Sequence, residues 1–238
     1  FFLRNSNFTK VWIGQILSQS CGRMYQIAIV LWILGEHAMG SGVRVGTFMV
    51  MAALPSILLM KPIGRMIDLR SSKRLLVVSD LLAAALIIGV SALLRAGFFN
   101  FPMALICGCV TAAIQAMIDP TLNKSITELV DEKDIEEGVS LLTVTQSIAS
   151  FSGAMLGAVF IDQIGISQTV ALCSLGYLVS SASTALARFR LRQAATGDSA
   201  TLAAGWSMLS PIYKKLLLGF AMINFFATPI LVVLPIYV

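Results

Sequence analysis

Residues 64–97 read GRMIDLRSSKRLLVVSDLLAAALIIGVSALLRAG, a basic turn followed by an apolar run in which Asp80 and Arg95 are the only charged residues after Arg74. A bilayer core takes about 20 helical residues to cross at 1.5 Å of rise each, and the stretch 75–97 supplies them. Lipid offers backbone N–H and C=O groups no water to bond, so a run of this length and character predicts a helix.

Six further runs of the same kind lie at 8–34, 43–66, 101–124, 139–161, 168–187 and 216–238. Composition agrees: hydrophobic residues make up 57% of the 238 positions and charged ones 12%, against roughly 25% charged in soluble domains, and the mean hydropathy is +0.86. The expected fold class is an all-α membrane protein, a six-helix bundle with an additional seventh transmembrane helix. The expected domains are 1–187 for the bundle, 188–215 for a linker rich in Gly, Ser, Ala and Thr, and 216–238 for the first helix of an incomplete second domain.

Basic residues keep to the cytoplasmic side of membrane helices. With the N-terminus inside, the inner set is Arg4, Lys10, Lys61, Arg65, Arg70, Lys73, Arg74, Lys124, Lys133, Arg188, Arg190, Arg192, Lys214 and Lys215. Only Arg44 and Arg95 fall outside, and Arg23 within the first span completes the 17 Lys and Arg of the chain. The net charge of +5 therefore reads as a topology signal with the N-terminus cytoplasmic, and no nucleic-acid partner is expected. The chain opens on Phe1, so a short start is expected to precede it, and no cleavable signal peptide is legible. Between the fourth and fifth spans, Glu128–Glu137 is expected to form an acidic helical segment on the inner side.

Cys21, Cys107, Cys109 and Cys173 sit in apolar stretches without a Cys-x-x-Cys spacing and read as small buried hydrophobes. His37 is the only histidine. No metal site, cofactor or Ser/His/Asp set is expected, which argues against an integral membrane enzyme.

Polar residues at helical spacing within a span mark a wet or protein-lined face. Gln15, Gln19, Arg23 and Gln26 recur at intervals of 4, 4 and 3, within one quadrant at about 100° per residue. Thr111, Gln115, Asp119 and Asn123 repeat the pattern in the fourth span, and Thr143, Gln146, Ser150, Gly153 and Gly157 share a face of the fifth. Each residue alone suits helix-to-helix hydrogen bonding; the three stripes together predict that spans one, four and five line a cavity while three and six face lipid. Arg23 suits either the outer headgroups, reached by snorkelling, or the cavity. Asp119, followed by Pro120, is the proton-coupling candidate. Gly153 and Gly157 form a Gly-x-x-x-Gly pair expected to let another helix approach.

The opening stretch also holds the candidate gating loop: Gly64, Asp68, Arg70, Lys73 and Arg74, with Asp80 two turns on. Asp68 ends its helix, where the macrodipole disfavours negative charge, and so needs partners: Arg65, Arg70, Lys73, or the free N–H groups of another helix. The alternatives are a latch that changes partners between conformations and a plain basic inner turn.

This loop resembles the signature between helices two and three of the major facilitator superfamily, Gly-x-x-x-Asp-Arg/Lys-x-Gly-Arg-Lys-Arg. Gly64, Asp68, Lys73 and Arg74 match; Leu69 stands in place of a basic residue and Ser71 in place of Gly. Phe8, Trp12, Gly14-Gln15 and Met24–Ala28, then Pro120–Val130, then Asn224–Pro229 with Leu234-Pro235, resemble exporters of the macrolide-efflux and enterobactin-exporter type. Cys21-Gly22 departs from the Gly-Asp often found in their first helix, and Ala154 from the Pro that follows the corresponding Gly of antiporters. The resemblance implies the N-terminal half of a transporter plus helix seven, moving small molecules across the cytoplasmic membrane by alternating access, with the bilayer and a second transporter half as partners. Gln15, Gln19, Arg23, Gln26, Gln115 and Gln146 are then the substrate-cavity candidates. The rival is a truncated, non-transporting protein or a half-transporter subunit that needs a partner chain.

Overall fold

The computed structural model describes residues 4–36, 40–189 and 210–237. Among these the secondary structure is helical, without strands. The helices are α1 (Ser6–Glu36), α2 (Ser41–Leu58), α3 (Met60–Leu69), α4 (Ser72–Arg95), α5 (Phe101–Leu129), α6 (Ile135–Ile164), α7 (Ile166–Leu186) and α8 (Pro211–Tyr237). Two units emerge, residues 1–192 and 193–238, the second holding α8. Among the described residues five helices, α2, α4, α5, α6 with the turn before it, and α7, are long and apolar enough to cross a bilayer. The 31-residue α1 has the length but carries the Gln, Ser and Arg stripe. Most of the expected linker, and His37, lie outside the described residues.

The span expected at 43–66 is two helices. Pro62 has no N–H to offer the Leu58 carbonyl, and its ring crowds that oxygen; α2 accordingly ends at Leu58, and α3 begins at Met60. Pro120 has the same chemistry, yet α5 runs on through it. Asn100 starts α5 by accepting the Met103 N–H at 3.0 Å, as an N-cap should. The tight α6–α7 turn rests on Gly165 at φ +82°, a conformation that a side chain would strain.

The acidic segment Glu128–Glu137 is a corner instead of a helix. Val130 and Asp131 are extended, Glu132–Asp134 form one 3-10 turn, and α6 follows. Asp134 turns back to the start of the chain, where Arg4 pairs with it and Asn5 Nδ2 donates to it at 3.0 Å. Glu136 and Glu137 then fall in the first turn of α6, where the helix dipole favours negative charge.

In the first unit α1 packs chiefly on α7 and α6, α4 on α7 and α5, and α2 on α5. The larger core gathers Tyr25, Ile29, Ile33, Phe48, Ile87 and Tyr177, and a second one Phe8, Leu76, Leu122 and Ile126. Glycines set the closest approaches of α1. A Cβ at Gly153 would meet the Ser20 carbonyl oxygen at 2.7 Å and Arg23 Cβ at 2.5 Å, and one at Gly22 would meet Gln115 Nε2 at 2.5 Å and the Tyr177 hydroxyl at 2.7 Å. The Gly153/Gly157 pair is thus where α6 lies against α1.

Spans three and six, expected to face lipid, each have two distinct faces. Their outer faces are apolar and exposed, with Val78, Leu81, Leu82 and Ile88 on α4 and Leu175, Leu178 and Val179 on α7. Their inner faces bury Ser79, Asp80 and Ser91 against Thr169, Ser174, Ser180, Ser181 and Thr184. Small hydroxyl side chains allow the two backbones to close up, as in other membrane bundles.

Because backbone oxygen cannot move aside as a side chain can, Gly153→Val should lower the unfolding free energy by about 1–3 kcal/mol through overpacking. Gly46→Ala, inside α2 where nothing lies within 4 Å, should not lower it, since Ala favours a helix over Gly by up to about 1 kcal/mol. Melting temperatures of both variants in detergent check this.

Candidate functional site

The basic end of the bundle is tied together by side chains that reach across helices. Lys73 Nζ donates to the Ala187 carbonyl at 2.8 Å, beyond the last residue of α7. Lys124 Nζ donates to the carbonyls of Ile67 at 2.6 Å and Arg70 at 3.1 Å, at the end of α3. Cations belong at these positions, because the last carbonyls of a helix have no intrahelical partner and carry its negative pole. Ser72 Oγ donates to Glu128 Oε1 at 2.8 Å, and Trp12 Nε1 to the Leu141 carbonyl at 3.2 Å.

Within that frame the gating-loop candidates separate. Asp68, Arg70 and Arg74 are exposed, Gly64 is half-buried within α3, and Lys73 is committed to α7. Neither Arg65, Arg70 nor Lys73 forms an ion pair with Asp68 among the described residues. Asp80 does not belong with this loop at all. It is buried two turns inside α4, where Oδ2 accepts from Ser180 Oγ at 2.7 Å and from Gln15 Nε2 at 3.2 Å. Gln15 Nε2 also donates to Ser180 Oγ at 3.2 Å.

Gln15, expected with the cavity set, is therefore fully buried toward α4 and α7. Its stripe on α1 is real, but one face of a long helix meets different neighbours at different heights. Further along, Gln19 and Gln26 are half-buried and Arg23 is exposed. Arg23 Nη1 donates to Gln26 Oε1 at 3.5 Å, and Gln26 Nε2 to Met49 Sδ at 3.7 Å.

Three candidates from three helices converge on the open side of the unit. Asp119 of α5 lies within interaction range of Gln146 of α6 and Arg23 of α1, and all three are exposed. Ser20 and Ser152 hydroxyls meet at 2.9 Å beside them, tying α1 to α6. Gln115, one turn from Asp119, is half-buried and donates to the Tyr177 hydroxyl at 3.0 Å. Its amide crosses above Gly22, where a side chain would collide with it. The absence of a carboxylate in Cys21-Gly22 has a steric counterpart here, since any side chain at position 22 would displace the Gln115–Tyr177 pair.

Sequence reasoning did not anticipate Lys124, Glu128, Ser72, Ser180 or Tyr177 as organisers. A signal existed for the first two, as charged residues at and just past the end of the fourth apolar run. Ser180 and Tyr177 gave none that distinguishes them from other small or aromatic residues of a span.

Residues 11–238 match the family model described as Major Facilitator Superfamily. No curated protein and no solved structure matches the chain.

Replacing Lys124 by Met removes the charged donor from two carbonyls, a loss of about 1–2 kcal/mol for a partly exposed charged hydrogen bond. The end of α3 should then fray, and trypsin should cut at Arg65 and Arg70 faster than in the parent protein.

Proposed function

Because the chain belongs to the major facilitator superfamily, we propose that it is a secondary active transporter that exports small amphipathic molecules, of the drug or siderophore kind, across the cytoplasmic membrane. The N-terminus and the basic loops face the cytoplasm in this reading. The resemblance of the first, fourth and seventh spans to macrolide and enterobactin exporters supports the substrate class. The observation that carries the proposal is the meeting of Arg23, Asp119 and Gln146, all exposed, from three apolar helices of one unit.

Exposing these groups to lipid is unfavourable, at least about 2.5 kcal/mol for an Arg at mid-span. They suit a water-filled path between this domain and a second one. An apolar wall with a few polar groups fits an amphipathic substrate, with Gln19, Gln26 and Gln146 as hydrogen-bonding groups. Arg23 serves as the electrostatic partner of Asp119: protonation of the carboxyl releases the arginine, and deprotonation recaptures it. This coupling gives inward proton flow a handle on outward substrate movement.

Asp68 and Arg74 form the gating contact. Both are exposed in this domain, so their partners come from the opposite domain when the pathway closes on the cytoplasmic side. Lys73, held by α7, acts as the fixed anchor of the loop and not as its moving part.

Asp119→Asn should abolish proton-driven efflux of a fluorescent dye or siderophore from energised cells while leaving expression and melting temperature near those of the parent. Efflux by that variant that still collapses with the proton gradient would remove Asp119 from the coupling role.

A further inference from the structure

The hydrogen-bond inventory at the α1–α4–α7 junction does not close with an ionised Asp80. Asp80, Gln15 and Ser180 are each 0% exposed. Both donors that reach the carboxyl, Ser180 Oγ and Gln15 Nε2, go to Oδ2. Oδ1 is left without a partner, and so is Gln15 Oε1. A carboxylate is acceptor-only, as is an amide oxygen, so no rearrangement of these hydrogens pairs the two orphans. Turning the Gln15 amide over does not help: its oxygen would then face Oδ2, again acceptor against acceptor.

One added proton supplies the donor that the pair lacks. An amide that donates N–H to the carbonyl oxygen of a carboxylic acid is placed to receive the acid O–H on its own oxygen, and the atoms such a ring joins second are Asp80 Oδ1 and Gln15 Oε1. Ser180 completes the arrangement, accepting from Gln15 and donating to Oδ2.

No surrounding charge offers an alternative. On α7 there is no Asp, Glu, Lys or Arg from Ile166 to Leu186. On α1, Lys10 and Arg23 are exposed. On α5, Asp119 is exposed, Lys124 holds the end of α3, and Glu128 accepts from Ser72. On α4 itself Lys73 is bonded to Ala187, and Arg74 and Arg95 are exposed. The remaining titratable neighbours are uncharged in their ordinary state: Tyr177, which receives Gln115, and the buried thiols of Cys21 and Cys173. Burying an ion without an opposite charge or a full set of donors is strongly unfavourable.

We infer that Asp80 is a resident proton site, a neutral carboxylic acid joined to the Gln15 amide in a two-bond ring and pinned by Ser180. The proton is a structural ligand that fastens three helices. It is separate from the exposed Asp119, whose proton exchanges with water.

Infrared difference spectroscopy of the protein in lipid bilayers tests this. The parent should show the carbonyl stretch of a protonated carboxylic acid that Asp80→Asn lacks, unchanged between neutral and mildly alkaline pH. Asp80→Asn should keep its melting temperature, because an amide pair still forms two bonds with Gln15, whereas Asp80→Leu should lower it. Ser180→Ala should retain the band but move it to higher frequency, as the carbonyl oxygen loses a donor. Loss of carboxylate bands in Asp80→Asn, or disappearance of the acid band over that pH range, overturns the inference. If Asp80→Asn does not fold, the difference between Ser180→Ala and parent reads the same group: a shifted acid band supports it, and a change confined to carboxylate bands, or none, overturns it.

Discussion

A bilayer interior provides no hydrogen-bond partners, and the arrangement of this bundle follows from that single constraint. Every polar side chain within a span must either find a partner on another helix or be turned to a surface that water can reach. The long α1 shows both solutions. Gln15 is enclosed by α4 and α7, while Arg23, two turns on, lies on the open side with Asp119 and Gln146. The same helix is thus enclosed by its neighbours at one height and carries an exposed polar cluster at another.

Helix separation is governed by side-chain size where these groups meet. Gly22, Gly153 and Gly157 allow α5, α7 and α6 to lie against α1, and buried serines and threonines do the same between α4 and α7. Once backbones approach that closely, the buried amides and hydroxyls are within reach of one another, and the Gln15–Asp80–Ser180 and Gln115–Tyr177 contacts form. Apolar residues then cover the outer faces of α4 and α7, which need no partner in lipid.

Much of this was legible from residue order, because span length and charge placement depend only on local composition. The break at Pro62 was legible too, in principle, since a missing N–H has a fixed consequence; the uninterrupted hydropathy of 43–66 concealed it. The acidic corner at Asp134 was read as helix because its residues favour helices locally, whereas its course is tied to Arg4 and Asn5, about 130 positions away. For the candidate site, the polar stripes marked faces of α1, α5 and α6 but not which residue of each stripe turns inward. That depends on the height at which α4, α5 and α7 cross α1, and no single helix carries that information. Asp80 was grouped with the nearby loop by sequence distance, when its partners are 65 and 100 residues away.

The contact between Lys73 and the Ala187 carbonyl has a temporal side. Lys73 is synthesised 114 residues before the carbonyl it caps, an interval of roughly 6–23 s at ordinary translation speeds. Throughout that interval its ammonium has no Ala187 carbonyl to bind. Only once α7 has been made is the carbonyl there to take up the charge. The fastening of α4 to the end of α7 by Lys73 is therefore among the last contacts that the first unit can form.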